Sequence, residues 1–313
     1  MTSQENFADR LTSRMQDLKS RICVGLDPDL NRFPEQLLKE FDLTPFPASQ
    51  PDEDFFSKTH DCILEFNRQV IEAVDDLAVA IKPQSAHYER FGWQGVKALA
   101  ETVAMARDKG ILVILDGKRN DIGSTAEKYG CAYLGSESGP GFAGLPSDAL
   151  TVNPYLGSDG ILPFVELCKE NGRGIFVLVK TSNPSSKELQ DLKIADSQTS
   201  WAAQVGQLVE DWGQSTIGRC GYSSVGAVVG ATHGTEIRSF RQLMPHTLFL
   251  MPGYGAQGAG AEDVKDAFGA DGLGALINSS RGVIYAFNPQ SVDFASQIRD
   301  SAAAMVSDIR NVI

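Results

Sequence analysis

The sequence predicts an α/β fold, a (β/α)8 TIM barrel of the phosphate-binding type. Three observations carry that expectation. Short apolar runs recur eight times with helix-like spacing between them. Charged residues close several of these runs at the same end. A glycine-rich turn after the seventh run is followed by a Ser-Arg-Gly after the eighth.

Taken in order, the runs are Ile22–Leu26, Leu77–Ile81, Ile111–Leu115, Ala149–Val152, Ile175–Val179, Val225–Val229, Leu248–Met251 and Ala275–Ile277. Continuous apolarity, rather than alternation, suits strands covered on both faces, as in a parallel sheet. Between the first two runs, Phe56, Ile63, Phe66, Val70 and Val74 fall near one helical face. Between the second and third, Val96, Leu99 and Val103 do the same over a shorter span. After Asp293, the series Phe294, Ile298, Ala302, Met305 and Ile309 at spacings of three and four predicts an amphipathic helix. Strand–helix alternation repeated eight times reads as a closed barrel more naturally than as an open doubly wound sheet, the other arrangement the pattern permits. Two segments exceed ordinary loop lengths, Pro28 to about Phe55 and Asn183 to about Ser200, and both are rich in Pro, Ser, Asp and Glu. They read as insertions in strand-to-helix connections, not as linkers. Residues 1–313 are therefore expected to form a single barrel domain with insertions near 28–55 and 183–200.

The bulk numbers agree with a globular protein. Of 313 residues, 42% are hydrophobic and 22% charged, enough to bury a sizeable core. A net charge of −12 argues against nucleic acid and anionic lipid as partners, though a local basic pocket can still hold a small anion. The five cysteines are scattered without a CxxC pair, as expected of reduced cytosolic thiols used mostly for packing, a catalytic thiol being the other use. The opening Met-Thr-Ser-Gln-Glu-Asn has no basic region followed by an apolar stretch, and no run approaches the ~20 residues of a membrane span. A cytoplasmic protein is expected.

Chemistry concentrates in Leu115-Asp116-Gly117-Lys118-Arg119-Asn120-Asp121-Ile122-Gly123-Ser124-Thr125. In an extended backbone, residues two apart point the same way, so Asp116 and Lys118 are expected side by side at the catalytic end of a strand. Asp121 adds a second carboxylate just beyond. A surface turn whose charges pair among themselves is the plainer alternative. Lys82 closes the second strand and Asp27 the first, so strand-end charges recur at three consecutive strands. Together they suggest a polar pocket, because each charge would otherwise be desolvated without a partner.

Met251-Pro252-Gly253-Tyr254-Gly255-Ala256-Gln257-Gly258 contains GxGxxG but stands near the end of the chain, and Asp271 precedes the next strand instead of closing it. That placement does not suit a dinucleotide fingerprint. With Asn278-Ser279-Ser280-Arg281-Gly282 after the eighth strand, it matches the barrel phosphate site, backbone N–H groups and one guanidinium, a plain surface cation being the other reading of Arg281. The four histidines share no close spacing, and HExxH, Cys/His clusters, GxSxG and Walker A motifs are absent. Asp116 and Asp121 have the chemistry for Mg²⁺, but Lys118 lies between them and competes, so no metal ligands are expected.

These motifs together resemble the orotidine 5′-monophosphate decarboxylase family, in its longer bacterial and mycobacterial-type branch. The resemblance rests on Val24-Gly25-Leu26-Asp27-Pro28, Ile81-Lys82-Pro83, Asp116 through Gly123, Val179-Lys180-Thr181-Ser182-Asn183-Pro184, Pro252 through Gly258 and Ser280-Arg281. It implies a homodimer that converts orotidine 5′-monophosphate to UMP and CO2 with no metal or cofactor. Lys118 would protonate C6, Asp116 would lie against the substrate carboxylate, and Asp121 would enter from the other subunit. Lys82 would complete a Lys-Asp-Lys-Asp network. Asp27 and Thr125 would contact the ribose, Thr125 also from the partner; Ser182 would touch the pyrimidine, and Gln257 and Arg281 would grip the phosphate. The Asp-x-Lys-x-x-Asp core is shared with sugar-phosphate synthases, so an Mg²⁺-dependent hexulose-phosphate synthase remains a rival. A barrel kept only for nucleotide binding or scaffolding is the other.

Overall fold

The eight apolar runs become the eight strands of a closed parallel barrel whose neighbours follow chain order, with β8 pairing back onto β1. The structure is a computed structural model and describes residues 5–46, 51–135, 144–255 and 257–313. Ala256 of the glycine-rich motif, residues 47–50 of the first expected insertion and residues 1–4 at the N-terminus lie outside the described residues. The strands are β1 Ile22–Leu26, β2 Ala80–Pro83, β3 Leu112–Arg119, β4 Ala149–Val152, β5 Gly174–Lys180, β6 Ser223–Val229, β7 Thr247–Met251 and β8 Ala275–Ser279. The helices are α1 Phe7–Asp17, α2 Glu35–Glu40, α3 Glu53–Val74, α4 Ser85–Glu89, α5 Gly92–Asp108, α6 Gly123–Leu134, α7 Leu162–Asn171, α8 Trp201–Gly213, α9 Gly234–Leu243, α10 Ala261–Val264, α11 Arg281–Ile284 and α12 Phe294–Arg310. Among the described residues, no helix is long and apolar enough to cross a membrane.

Several strands outlast their apolar runs at the C-terminal end. Strands β2, β3 and β8 continue past the last apolar residue, taking in Lys82, Asp116, Lys118 and Asn278. Parallel strands keep their ladder while their final side chains turn polar, because those side chains face the site rather than the core. The second strand also begins later than its run: the turn that leaves α3 extends through Leu77, with the Ala78 N–H donating to the Val74 carbonyl at 2.8 Å.

Two apolar layers hold the barrel. The outer one lies between strands and helices, where Phe66 of α3 stacks on Phe33 at 4.2 Å and on Phe294 of α12 at 6.0 Å. The inner one fills the barrel with Cys23, Ala80, Ile114, Phe176, Leu250 and Leu276, among others. Its floor is α1, which buries Phe7, Ala8, Leu11 and Met15; the Phe7 ring meets Phe176 edge-on, with centroids 6.1 Å apart. Asn6 starts that helix by accepting hydrogen bonds from the Ala8 and Asp9 N–H groups at 2.7 and 3.3 Å. With the N-terminal mouth plugged, the C-terminal mouth is left open for chemistry.

Both long connections are structured where described. The first contributes a 3-10 turn at Leu30–Arg32 and α2, with Leu30, Phe33, Leu37 and Leu43 buried. The second holds a 3-10 turn at Pro184–Glu188 and a bridge between Lys193 and Ser200. It is tied to the end of β5 by Gln190, whose amide donates to Thr181 Oγ1 at 2.8 Å and accepts from the Thr181 N–H at 2.8 Å.

Candidate active site

Asp116 is the hub of the C-terminal mouth. It is 7% exposed, and both of its oxygens are taken. Oδ2 accepts from Lys82 Nζ at 2.6 Å and from Gln84 Nε2 at 2.9 Å. Oδ1 accepts from Lys118 Nζ at 2.7 Å and from the Thr151 hydroxyl at 2.8 Å. Burial alone would raise the Asp116 pKa, but Lys82 and Lys118 outweigh it and hold the carboxyl well below the usual carboxylate range. Burial would likewise depress Lys82, yet Asp116 and Asp27 prevail and raise its pKa. Asp116 and Lys82 are therefore both ionised at neutral pH. Lys82 is 5% exposed, whereas the Lys118 side chain is 47% exposed and free to meet a ligand.

Asp116 and Lys118 are neighbours, but not by simple strand alternation. The β3–β4 register slips between Leu115 and Arg119, and Lys118 adopts a left-handed backbone with φ of 47°. Its N–H donates to Thr151 Oγ1 at 3.0 Å. The bulge thus brings the ammonium back over the carboxylate.

Two cavities meet at this hub, sharing Lys82, Asp116 and Pro252. The larger, about 470 Å³, lies over Lys118 between apolar walls from Leu178, Val228 and Leu250. Ser182 lines it, and its roof is the second insertion through Ser186, Leu189 and Gln190. The smaller, about 230 Å³, is polar and holds Asp27, Gln257, Asn278 and Arg281. Arg281 opens α11 directly after β8, and among the described residues no carboxylate pairs with it. Gly25 allows that strand end to approach β1, since a Cβ there would sit 1.8 Å from Ser280 Oγ. The Tyr285 hydroxyl fixes the turn after β1 by donating to the Asp27 carbonyl at 2.9 Å and accepting from the Asp29 N–H at 2.6 Å.

Of the residues singled out from sequence, Lys82, Asp116, Lys118, Asp27, Ser182, Gln257 and Arg281 line these two cavities. Asp121 and Thr125 line neither. Asp121 is half-buried just beyond β3, its carboxylate accepting from the Ile122 N–H at 2.8 Å, and Thr125 is exposed in the first turn of α6. Gln84, Thr151 and Asn278 were not singled out, although the first two contact Asp116 directly. One polar residue in an apolar strand was the only signal for Thr151. No cysteine lines either cavity, and burial pushes the Cys23 and Cys62 thiols up to about 12. Among the described residues, no group of three or more His, Cys, Asp or Glu side chains is placed to hold a metal ion.

Comparison with known proteins places this geometry. A family model described as "Orotidine 5′-phosphate decarboxylase / HUMPS family" matches residues 20–292. An orotidine 5′-phosphate decarboxylase of Rhodopirellula baltica is 42% identical over 290 residues, covering 93% of this chain and 92% of that protein. Its counterpart in Deinococcus radiodurans is 39% identical over 307 residues, 98% of each. The crystal structure of a Streptomyces avermitilis protein assigned to the same activity superposes with a TM-score of 0.79 at 37% identity, covering 99% of this chain and 97% of that one.

Proposed function

The chain belongs to the orotidine 5′-phosphate decarboxylase / HUMPS family and is a carboxy-lyase of pyrimidine synthesis acting on orotidine 5′-phosphate; from that premise we propose how its residues divide the work. The pyrimidine occupies the larger cavity against Ser182, with C6 and its carboxylate over Lys118 and Asp116. The ribose passes Asp27, and the phosphate lies in the smaller cavity against Gln257 and Arg281. One observation carries the proposal: a lysine–aspartate pair stands where an apolar-walled cavity meets one that ends in an unpaired arginine.

Decarboxylation breaks the bond between C6 and the carboxylate carbon and leaves the electron pair on C6, in the ring plane and outside the π system. That localised charge needs a cation beside it. The Lys118 ammonium supplies one and then gives its proton to C6, while CO2 leaves and the lysine regains a proton from solvent. Asp116 cannot escape the substrate carboxylate by taking up a proton, because its own is held off by two lysines. Two unit charges ~4 Å apart at an effective dielectric near ~20 interact by about 4 kcal/mol, roughly a thousandfold in rate if the stress is released in the transition state. Phosphate contacts far from C6 offset that stress in the bound complex. The reaction as proposed uses no metal. Lysine ammonium groups already occupy both Asp116 oxygens, which a cation would need.

The sites are proposed to be completed across a homodimer. Asp121 and Thr125 line neither cavity of their own chain, and the segments around them expose Ile122, Tyr129, Tyr155, Leu156 and Leu162. An apolar face of this kind beside functional polar residues fits an interface.

The test is the ultraviolet absorbance of orotidine 5′-phosphate incubated with the purified protein and EDTA. Turnover is expected to persist under chelation. Lys118→Ala should abolish it while leaving UMP binding nearly intact, and Arg281→Ala should weaken phosphorylated ligands far more than nucleosides. Loss of turnover with EDTA, or an active Lys118→Ala protein, would remove the proposed chemistry.

A further inference from the structure

We propose that the N-terminal face of the barrel, opposite the catalytic mouth, carries a second anion site, built from Arg10, Arg107 and Arg173 for a small phosphate-class oxyanion. The three guanidinium groups come from α1, from the end of α5 and from the residue before β5, and they line one cavity of about 390 Å³.

The available carboxylates do not account for them. Asp148 is 4% exposed, and its Oδ1 accepts from both Arg10 Nη1 at 2.8 Å and Arg173 Nη1 at 2.7 Å. Its Oδ2 is already committed to the Val113 N–H at 2.9 Å. Glu5, the other acid lining the cavity, pairs with Arg219 at 3.0 Å. Among the described residues, Arg107 reaches only the Pro146 carbonyl, at 3.5 Å. Both acids of the cavity are therefore engaged already, Asp148 by Arg10 and Arg173 and Glu5 by Arg219, while three arginines line it, in a chain whose net charge is −12.

Arg173 shows the cost. Its side chain is 11% exposed, and its Nε is buried without a hydrogen-bond partner. Burial first, and then the like charges of Arg10 and Arg107, pull its pKa down against the pull of Asp148. Tethering α1 to β4 and β5 explains the two arginines on Asp148. It does not explain the third. An oxyanion with three or more acceptor oxygens would satisfy the forked donors and relieve the repulsion together. Free phosphate and a phosphomonoester share that group.

The experiment is calorimetric titration of the full chain with inorganic phosphate, the catalytic cavities first being saturated with UMP. One saturable event per chain is expected. Arg107→Ala should weaken it at least about tenfold, the loss of one charge-assisted contact, with decarboxylation unchanged. Arg107 is exposed and supports no buried group, so this variant tests binding rather than folding. Arg281→Ala, titrated without UMP, should retain the event, which separates this site from the catalytic phosphate cavity even if the UMP reading fails. Uptake of methyl phosphate with similar affinity would assign a phosphomonoester; uptake of inorganic phosphate alone would assign the free ion. No saturable uptake, equal affinity in Arg107→Ala, or loss in Arg281→Ala would overturn the site.

Discussion

Lys118 takes a left-handed backbone that β-strands of L-residues avoid, at a cost of roughly 1–2 kcal/mol. What sustains it is Thr151, whose hydroxyl accepts from the Lys118 N–H and donates to Asp116, so one side chain sets both members of the pair. Thr151→Val should lower kcat about 10- to 100-fold with KM little changed, and Thr151→Ser should recover most of it. A raised KM with normal kcat would show that the hydroxyl shapes the cavity instead. The charge state of the hub gives a second prediction. Asp116 is depressed, so its contribution to stability is full above the unfolded carboxylate value of about 4 and disappears as pH falls through the lower folded value. Lys82 is raised, so its contribution is full below about 10.4 and lost only as pH climbs past its folded value. The stability gap between the wild type and Asp116→Asn, read by urea unfolding, should therefore stay constant from about pH 5 to 9 and shrink in stronger acid. A gap that titrates near neutrality would contradict the network. Sequence disclosed the charged members of this hub because three strand ends carried them in register. Gln84 and Thr151 stayed hidden, since a lone amide or hydroxyl has no spacing that marks it.

At the scale of elements, the strands were legible and their limits were not. Apolar runs marked where β1 to β8 are covered by helices, but hydrogen bonding outlasts apolarity wherever a strand delivers side chains to the mouth, as β3 does through Arg119. The long α3 and α12 were visible from their apolar faces, which meet at Phe66 and Phe294. Helix α1 was not foreseen, because it precedes the first strand and belongs to no strand–helix repeat. It nevertheless closes the floor of the barrel. Phe7→Ala should cost about 3–5 kcal/mol, the range for emptying a buried aromatic site, while kcat/KM for the folded protein stays within about twofold. Chemical denaturation paired with steady-state kinetics separates the two. A large drop in kcat/KM at unchanged stability would mean that the floor transmits to the site, contrary to the layered architecture. The second insertion shows a different limit of sequence reading. Its polar composition marked it as a long loop, yet only the structure places Ser186, Leu189 and Gln190 over the larger cavity. Buried Lys180 anchors that roof through Asp191 and reaches Glu236 of α9 at 3.6 Å.

For the whole molecule, Asp121 and Thr125 line neither cavity of their own chain, and the proposed dimer is what would bring them to the site. The segments around them leave Ile122, Tyr129, Tyr155, Leu156 and Leu162 exposed, Ile122 and Leu162 lining one shallow cavity, and Tyr155 is 74% exposed. A monomer keeping that surface in water forgoes burial worth roughly 25 cal/mol per Å². A two-fold dimer buries the same patch on both chains, so each cavity would receive the partner's Asp121 in return for its own. The arithmetic of such an exchange is specific. Lys118→Ala and Asp121→Ala are each expected to be inactive alone. When equal amounts are unfolded together and refolded, half the dimers are mixed, and each mixed dimer holds one site with both residues intact. Activity should recover to about a quarter of the wild-type value per site, a fraction fixed by two-fold symmetry and random pairing. Sedimentation at assay concentrations should give twice the chain mass of 33.8 kDa. Tyr155→Asp together with Leu162→Asp should shift it to one chain and abolish turnover, though every cavity-lining residue remains. A fully active single chain, or no recovery after subunit exchange is verified, would place Asp121 outside the reaction.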